Sequence, residues 1–215
     1  MIGLGIVSYE RPRYRADLLA SVTEHLTIDF LTTAIDVSPV ARAKNQVLSE
    51  MLAAGCDWLF VAEDDVVVTS PEAVTGYVRA CEQSGMEHLM FHAHGPANPR
   101  PKESRGVVTI WPNWVGAWNI YSAASLRYCG LMDEHFHNAW EHVEHSARLA
   151  AHGHTAPGAP DATGSEAWLR EQPGALASSV IRSDPLWNRR MDAGKAYWRE
   201  TYPDTYRAVF ECGRQ

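Results

Sequence analysis

The run Trp58-Leu59-Phe60-Val61-Ala62-Glu63-Asp64-Asp65 takes an apolar segment straight into three consecutive carboxylates, and few folds accommodate such a junction. A short apolar run that ends this abruptly reads as a buried strand. Carboxylates crowded at its end repel one another and resist losing water, so a cation is expected there. A divalent metal bridging to phosphate oxygens is the simplest such cation. A solvated turn following a strand is the plain alternative.

On both sides of this junction strands alternate with helices. Ile2 to Ser8 reads as a strand, and Tyr9-Glu10-Arg11-Pro12 turns into a helix carrying Leu18, Leu19, Val22 and Leu26 at helical spacing. Phe30 to Ile35 is a second strand, closed by Asp36. Val40, Ala43, Val47, Leu48, Met51 and Leu52 then share a helical face, with Gly55 as the stop. Ser70-Pro71-Glu72 offers a capping hydroxyl and an initial proline for a third helix that Gly85 ends, and His88 to Ala93 reads as a further strand. Gly95 to Pro101 is too rich in Pro and Gly for regular structure.

This alternation predicts an α/β fold with a mostly parallel central sheet flanked by helices. In such sheets ligands bind beyond the carboxyl ends of the strands, which would bring Tyr9 to Arg11, Asp36 and Glu63 to Asp65 to one crevice. Gly3-Leu4-Gly5 lies within the first strand and lacks the third glycine of a dinucleotide fingerprint, so it carries little weight.

With 215 residues and 46% hydrophobic content, the chain can bury one core and is expected to form a single domain over 1–215. A formal charge of -7 offers no general attraction to nucleic acid or anionic lipid. No signal-like start and no apolar run of bilayer length occurs, so a soluble, cytoplasmic protein is expected. Cys56, Cys81, Cys129 and Cys212 are far apart and read as reduced thiols.

Taken in order, Val7-Ser8-Tyr9-Glu10-Arg11-Pro12, Ile35-Asp36-Val37-Ser38, Ala43-Lys44-Asn45 and Phe60-Val61-Ala62-Glu63-Asp64-Asp65-Val66 resemble the nucleotide-sugar half of a GT-A-fold glycosyltransferase, most similar to glycosyltransferase family 2. Gly130-Leu131-Met132-Asp133-Glu134-His135-Phe136 resembles that family's Gly-x-x-Asp-Glu-x-Phe segment. The helix from Trp140 through Arg148, running on to Gly153, resembles its acceptor-side Glu-Asp helix.

The resemblance implies a GT-A (nucleotide-diphospho-sugar transferase, Rossmann-like) fold. Residues 1–94 would be the nucleotide-sugar half, 95–154 the acceptor side and 155–215 a C-terminal segment packed over the sheet. It also implies that Ser8, Tyr9, Arg11, Asp36, Asn45, Glu63 and Asp64 bind the donor. Glu63 and Asp65 would be the outer positions of an Asp-x-Asp motif, holding Mn2+ or Mg2+ against the diphosphate. Such a metal neutralises charge on the departing nucleoside diphosphate. The implied activity is metal-dependent transfer of a hexose from a nucleoside-diphosphate sugar to an acceptor hydroxyl, inverting by direct displacement. Donor sugar and acceptor are left open.

On the acceptor side the family carries Asp where this chain has His142. Imidazole as a class can take a hydroxyl proton near neutral pH, so His142 is the expected base. Glu141 is its rival, although Asn138, three residues earlier, would make Glu141 the closing member of a capping box. Many members of that family place a metal-binding histidine well downstream of this helix, whereas no histidine follows His154 here, so His154 or His152 is the nearest candidate for a third ligand. Trp114 and Trp118, near Trp111, are the acceptor-binding candidates, with core packing as their alternative.

Ser178 to Arg182 reads as a strand or loop returning toward the site. Trp187, Tyr197, Trp198 and Tyr202 read as a helical segment over the sheet. Two rival classes are a zinc hydrolase built on His142-Val143-Glu144-His145 and a sugar-nucleotide-binding module without catalysis. The former lacks both His-Glu-x-x-His and His-x-x-Glu-His spacing.

Overall fold

The computed structural model describes residues 1–93, 98–137, 139–175 and 177–211. Its first half runs β1 (Ile2–Ser8), α1 (Pro12–His25), β2 (Phe30–Ile35), α2 (Val40–Ala53), β3 (Trp58–Glu63), β4 (Val66–Val68), α3 (Glu72–Ser84) and β5 (His88–Met90). Then come β6 (Glu103–Arg105), β7 (Val108–Trp111), β8 (Trp118–Ser122), α4 (Ala123–Cys129), α5 (Glu141–Ala151), β9 (Ala159–Ala162) and β10 (Leu169–Glu171). The C-terminal segment holds α6 (Val180–Ser183), α7 (Trp187–Thr201) and α8 (Pro203–Phe210).

The central sheet has the order β2-β1-β3-β8-β5. β1 pairs in parallel with β2 and β3, whereas β8 is antiparallel to both β3 and β5. Four strands therefore point one way and β8 alone opposes them, which makes the sheet mostly parallel, as the alternation predicted. Because side chains alternate across a strand, the sheet feeds two cores. Leu4, Ile6, Phe60 and Ile120 meet Leu18 of α1 and Tyr77 of α3 on one face. Val7, Leu59, Val61 and Tyr121 meet Val47 and Met51 of α2, Leu126 of α4 and Leu149 of α5 on the other.

The strand glycines serve this second face. A Cβ on Gly5 would lie 2.5 Å from Val47 Cβ, and one on Gly3 would lie 2.7 Å from Met51 Sδ, so glycine lets α2 approach the sheet. Gly5→Ala is expected to cost about 1–3 kcal/mol through overpacking. A lower urea midpoint at unchanged slope would register the loss, and an unchanged midpoint would refute the close approach.

Ser70 Oγ accepts the Glu72 N–H at 3.2 Å to start α3, and Gly85 ends it at φ 72°. β5 stops at Met90, short of the expected Ala93, and the Pro/Gly-rich segment beyond it lies partly outside the described residues. Cys56, Cys81 and Cys129 are free, and Cys212 is not described.

The C-terminal segment departs from expectation twice. Residues 180–183 return to the site as expected, but as a helical turn in place of a strand or loop, because Ser179 Oγ accepts the Arg182 N–H and caps it. The aromatics of α7 and α8 do not cover the sheet: Trp198 and Tyr206 pack with Phe136 and with Val143 and Ala147 of α5. Tyr197 and Tyr202 anchor α7 by donating to Asp133 Oδ2 at 2.7 and 2.8 Å.

Among the described residues, two histidines are fully buried. His88 Nδ1 lies 2.8 Å from Ile120 O and Nε2 2.8 Å from Ser146 Oγ; a carbonyl only accepts, so Nδ1 carries the proton. His145 Nε2 donates to Gly130 O at 2.9 Å. Burial pushes His88 down to about 4 and His145 to about 3. Unfolded, both would titrate near 6.5, so between pH 7 and 5 unfolding takes up protons and stability falls with acidification. The limit is about 1.4 kcal/mol per pH unit for each. Asp64, raised to about 6 by burial, works in the opposite sense but offsets only one imidazole. Urea midpoints at pH 7 and 5 check this; a higher midpoint at pH 5 would refute it. No helix among the described residues is long and apolar enough to cross a membrane.

Candidate functional site

Beyond the carboxyl ends of β1 and β3 lies a cleft of ≈ 530 Å³. Ser8 to Arg11 line it after β1, Glu63 to Asp65 after β3, and Ile181, Asp184 and Arg190 close it from the C-terminal segment. The three acids carry built-in cations. Arg11 Nη1 lies 2.9 Å from Asp64 Oδ1 and also contacts Asp65 Oδ1, while Ser8 Oγ donates to Asp64 Oδ2 at 2.6 Å. Arg11 further donates to Ala175 O at 3.1 Å and stacks over the Tyr14 ring, tying the acids to the C-terminal segment.

Lys44 is the residue that sequence reasoning missed. Its position between Val40 and Val47 on the apolar stripe of α2 was the available signal, since a lysine there must be paired. It is fully buried, with Nζ 2.6 Å from Glu63 Oε1 and 3.0 Å from Glu141 Oε1. Burial disfavours its charge, but the two glutamates outweigh this and hold it protonated.

A second cleft of ≈ 290 Å³ adjoins the first and shares Glu63 and Asp65 with it. Trp114, Trp140, Glu141, His142 and Trp187 are among its walls. Glu141, 3% exposed, opens α5; burial opposes its charge, yet Lys44 and His142 hold its carboxyl well below the usual range. His142 Nδ1 lies 3.0 Å from Glu141 Oε1. An ionised carboxylate only accepts, so Nδ1 donates, and the tautomer this selects has Nε2 as its acceptor. Gly116 allows the two halves to meet. A Cβ there would lie 3.0 Å from Glu63 Oε1 and 3.2 Å from the His142 ring.

The structure thus brings Ser8, Tyr9, Arg11, Glu63, Asp64, Asp65, Trp114, Glu141 and His142 to the paired clefts. It does not bring the other candidates. Asp36, exposed at φ 56°, accepts the Glu10 N–H at 2.7 Å and so shapes the loop after β1 without itself lining the cleft. Asn45 is occupied elsewhere: Nδ2 donates to Met132 O at 2.8 Å and Oδ1 accepts the Met132 N–H at 3.0 Å, fastening the loop before α5. Trp118 is fully buried in β8 against Phe60, so it packs the core instead of facing an acceptor.

His154 pairs with Glu87 at the opposite end of the sheet, beside Ser122, which faces Trp58. A strand's length, roughly 16 Å, separates it from Glu63, because α5 runs away from the clefts. Asn138 lies outside the described residues, and Glu141 sits at the first helical position with its carboxylate on Lys44.

The zinc-helix reading also fails on geometry. His145 is buried toward Gly130 while His142 lines the cleft, and no group of three or more His, Cys, Asp or Glu among the described residues could hold a metal. Glu63 and Asp65 do suit a different kind of site. A hard cation held mainly by substrate phosphates needs only one or two carboxylates from the protein.

No protein-family model matches the sequence, and no curated protein does. Solved structures match over nearly the whole chain. Residues 1–349 of S. aureus TarS align with a TM-score of 0.57 at 12% identity, over 98% of this chain and 75% of that one. TarS in complex with UDP-GlcNAc aligns at 0.55 and 11%, over 98% and 70%. A mannosyltransferase from Pyrobaculum calidifontis in complex with GDP-Man and Mn2+ aligns at 0.53 and 10%, over 97% and 72%. Identities this low speak to fold alone, and the fold is that of the GT-A-like glycosyltransferases, as the sequence resemblance implied.

Proposed function

We propose that the protein transfers a hexose from a nucleoside-diphosphate donor to an acceptor hydroxyl with inversion. The observation that carries this reading is the meeting of two clefts at Glu63 and Asp65, one rimmed by strand-end acids and the other holding a carboxylate-oriented histidine. Proteins of the same fold bind UDP-GlcNAc, or GDP-Man with Mn2+, which supports a nucleotide sugar in the first cleft.

In this reading Ser8, Tyr9, Arg11 and Asp64 hold the donor, and Asp36 shapes the loop that carries Tyr9 and Arg11. Glu63 and Asp65 would hold Mn2+ or Mg2+, which when bound neutralises charge building on the departing diphosphate. His142 Nε2 takes the acceptor proton. Glu141 keeps Nδ1 protonated and stabilises the imidazolium that forms, and Lys44 keeps Glu141 ionised. Glu141 is itself a poor base because it is buried, ionised and already paired. Trp114 walls the acceptor side. The acceptor oxygen then attacks the anomeric carbon opposite the leaving diphosphate, which inverts it.

Calorimetry of UDP and GDP with and without Mn2+ tests the donor site. Asp65→Ala is expected to remove the Mn2+-dependent part of nucleotide affinity while the protein stays folded. Affinity for nucleotide in Mn2+ that is unchanged in the folded variant would refute the assignment.

A further inference from the structure

The second cleft is poorly equipped to bind a sugar as acceptor. In the reading above Glu63 and Asp65 belong to the donor side, and Glu141 is buried between Lys44 and His142. Among the described residues this leaves His142 Nε2, Ser179 and Arg182, with the indole N–H groups of Trp114 and Trp187, as the polar groups of its walls. Ser179 Oγ already accepts the Arg182 N–H at 3.3 Å. A pyranose brings several hydroxyls besides the reacting one, and each that is buried against these walls without a partner costs about 1–3 kcal/mol.

Aromatic surface, by contrast, is plentiful. Trp114, Trp140 and Trp187 wall the same ≈ 290 Å³, and Val115, Ile181 and Met191 are among the other apolar residues of its lining. That volume lies at the small end for ligand sites and is enough to hold a ring with short substituents. At the rim stands Arg182, exposed, with no hydrogen bond or ion pair to its guanidinium among the described residues. The carboxylates that share the cleft, Glu63, Asp65 and Glu141, are paired with Lys44 and Arg11, so the unpaired Arg182 is the group that suits an anion on the ligand.

We propose that the second cleft takes a single aromatic or heteroaromatic ring bearing both the nucleophilic hydroxyl and an anionic substituent. The ring lies among Trp114, Trp140 and Trp187, the hydroxyl points to His142 Nε2, and the carboxylate or phosphate meets Arg182. The proposal rests on the glycosyl-transfer reading for the fate of the hydroxyl. Its proton passes to His142 Nε2 and its oxygen bonds to the anomeric carbon. The bond from that carbon to the diphosphate oxygen breaks, and the nucleoside diphosphate leaves with the electron pair.

Saturation-transfer NMR on the intact protein tests the assignment with para-hydroxymethylbenzoate, para-hydroxymethylphenyl phosphate, neutral para-benzenedimethanol and methyl glucuronide. The expected result is binding of both aromatic anions, with the neutral diol about tenfold weaker and methyl glucuronide unable to displace them. Comparing carboxylate with phosphate identifies the preferred anion. Arg182→Gln should erase the advantage of the anions over the diol, and Trp114→Ala should weaken all three aromatic probes.

Displacement by methyl glucuronide, equal binding of the diol, or no binding of any aromatic probe to folded protein would overturn the proposal. UDP and GDP in the same samples separate the two claims. Ring binding without nucleotide binding would overturn the transfer reading alone, and nucleotide binding without ring binding would overturn the ring assignment alone.

Discussion

Lys44→Met is expected to lower the free energy of unfolding by about 3–5 kcal/mol, the cost of breaking a buried ion pair from one side. Methionine fills nearly the same space, so the loss comes from charge and not from a cavity. Lys44 is fully buried and its Nζ lies 2.6 Å from Glu63 and 3.0 Å from Glu141. Without it, two carboxylates face one another around an apolar gap. Glu141 is the more exposed to the change, since it is 3% accessible and owes its ionisation to Lys44 and His142 against the opposing effect of burial.

The sign with pH follows from that. A carboxyl held below its unfolded value contributes stability above about pH 4.5, and loses it as pH falls through the folded value. In Lys44→Met burial pushes Glu141 above its unfolded value, so the variant gains stability as the pH falls while the wild type loses it below about pH 4.5. The deficit should therefore shrink steadily on acidification. Lys44→Met combined with Glu141→Gln should recover part of the loss. Urea unfolding at pH 7 measures all three proteins, and a single-variant deficit under about 1 kcal/mol would contradict the buried triad.

His142→Gln is expected to reduce turnover by about 10²- to 10⁴-fold with donor affinity preserved. Glutamine keeps a donor for Glu141 and much of the ring's volume but cannot accept the proton of an attacking hydroxyl. Glu141→Gln should also slow turnover, because an amide no longer demands a proton on Nδ1, but the imidazole remains able to act. Steady-state rates with calorimetric donor affinities decide the matter. An inactive Glu141→Gln beside an active His142→Gln would make Glu141 the base.

The parallel half of the sheet was legible because β1, β2, β3 and α2 carry clean periodicities that local chain physics enforces. β8 was not, since its place between β3 and β5 depends on pairing with residues some sixty positions earlier. The same blindness misjudged Trp118: four positions from Trp114, it looks equivalent in sequence, yet strand geometry drives it into the core while Trp114 stays at the cleft.

Asn45 and His154 were placed by motif order alone. Order along the chain does not reveal that one side chain fastens a loop and the other pairs with Glu87 behind the sheet. Glu141 and His142 read as rivals because neighbouring helical residues point about 100° apart. At the start of α5 the two side chains instead curl together, so that one orients the other.

Release of nucleoside diphosphate from a panel of UDP and GDP sugars in Mn2+, with water or an alcohol as acceptor, tests the central claim most directly. The predicted result is release from at least one donor by the wild-type protein, strongly reduced in both Asp65→Ala and His142→Gln. Nucleotide binding without release from any donor, or release that neither substitution alters, would contradict it.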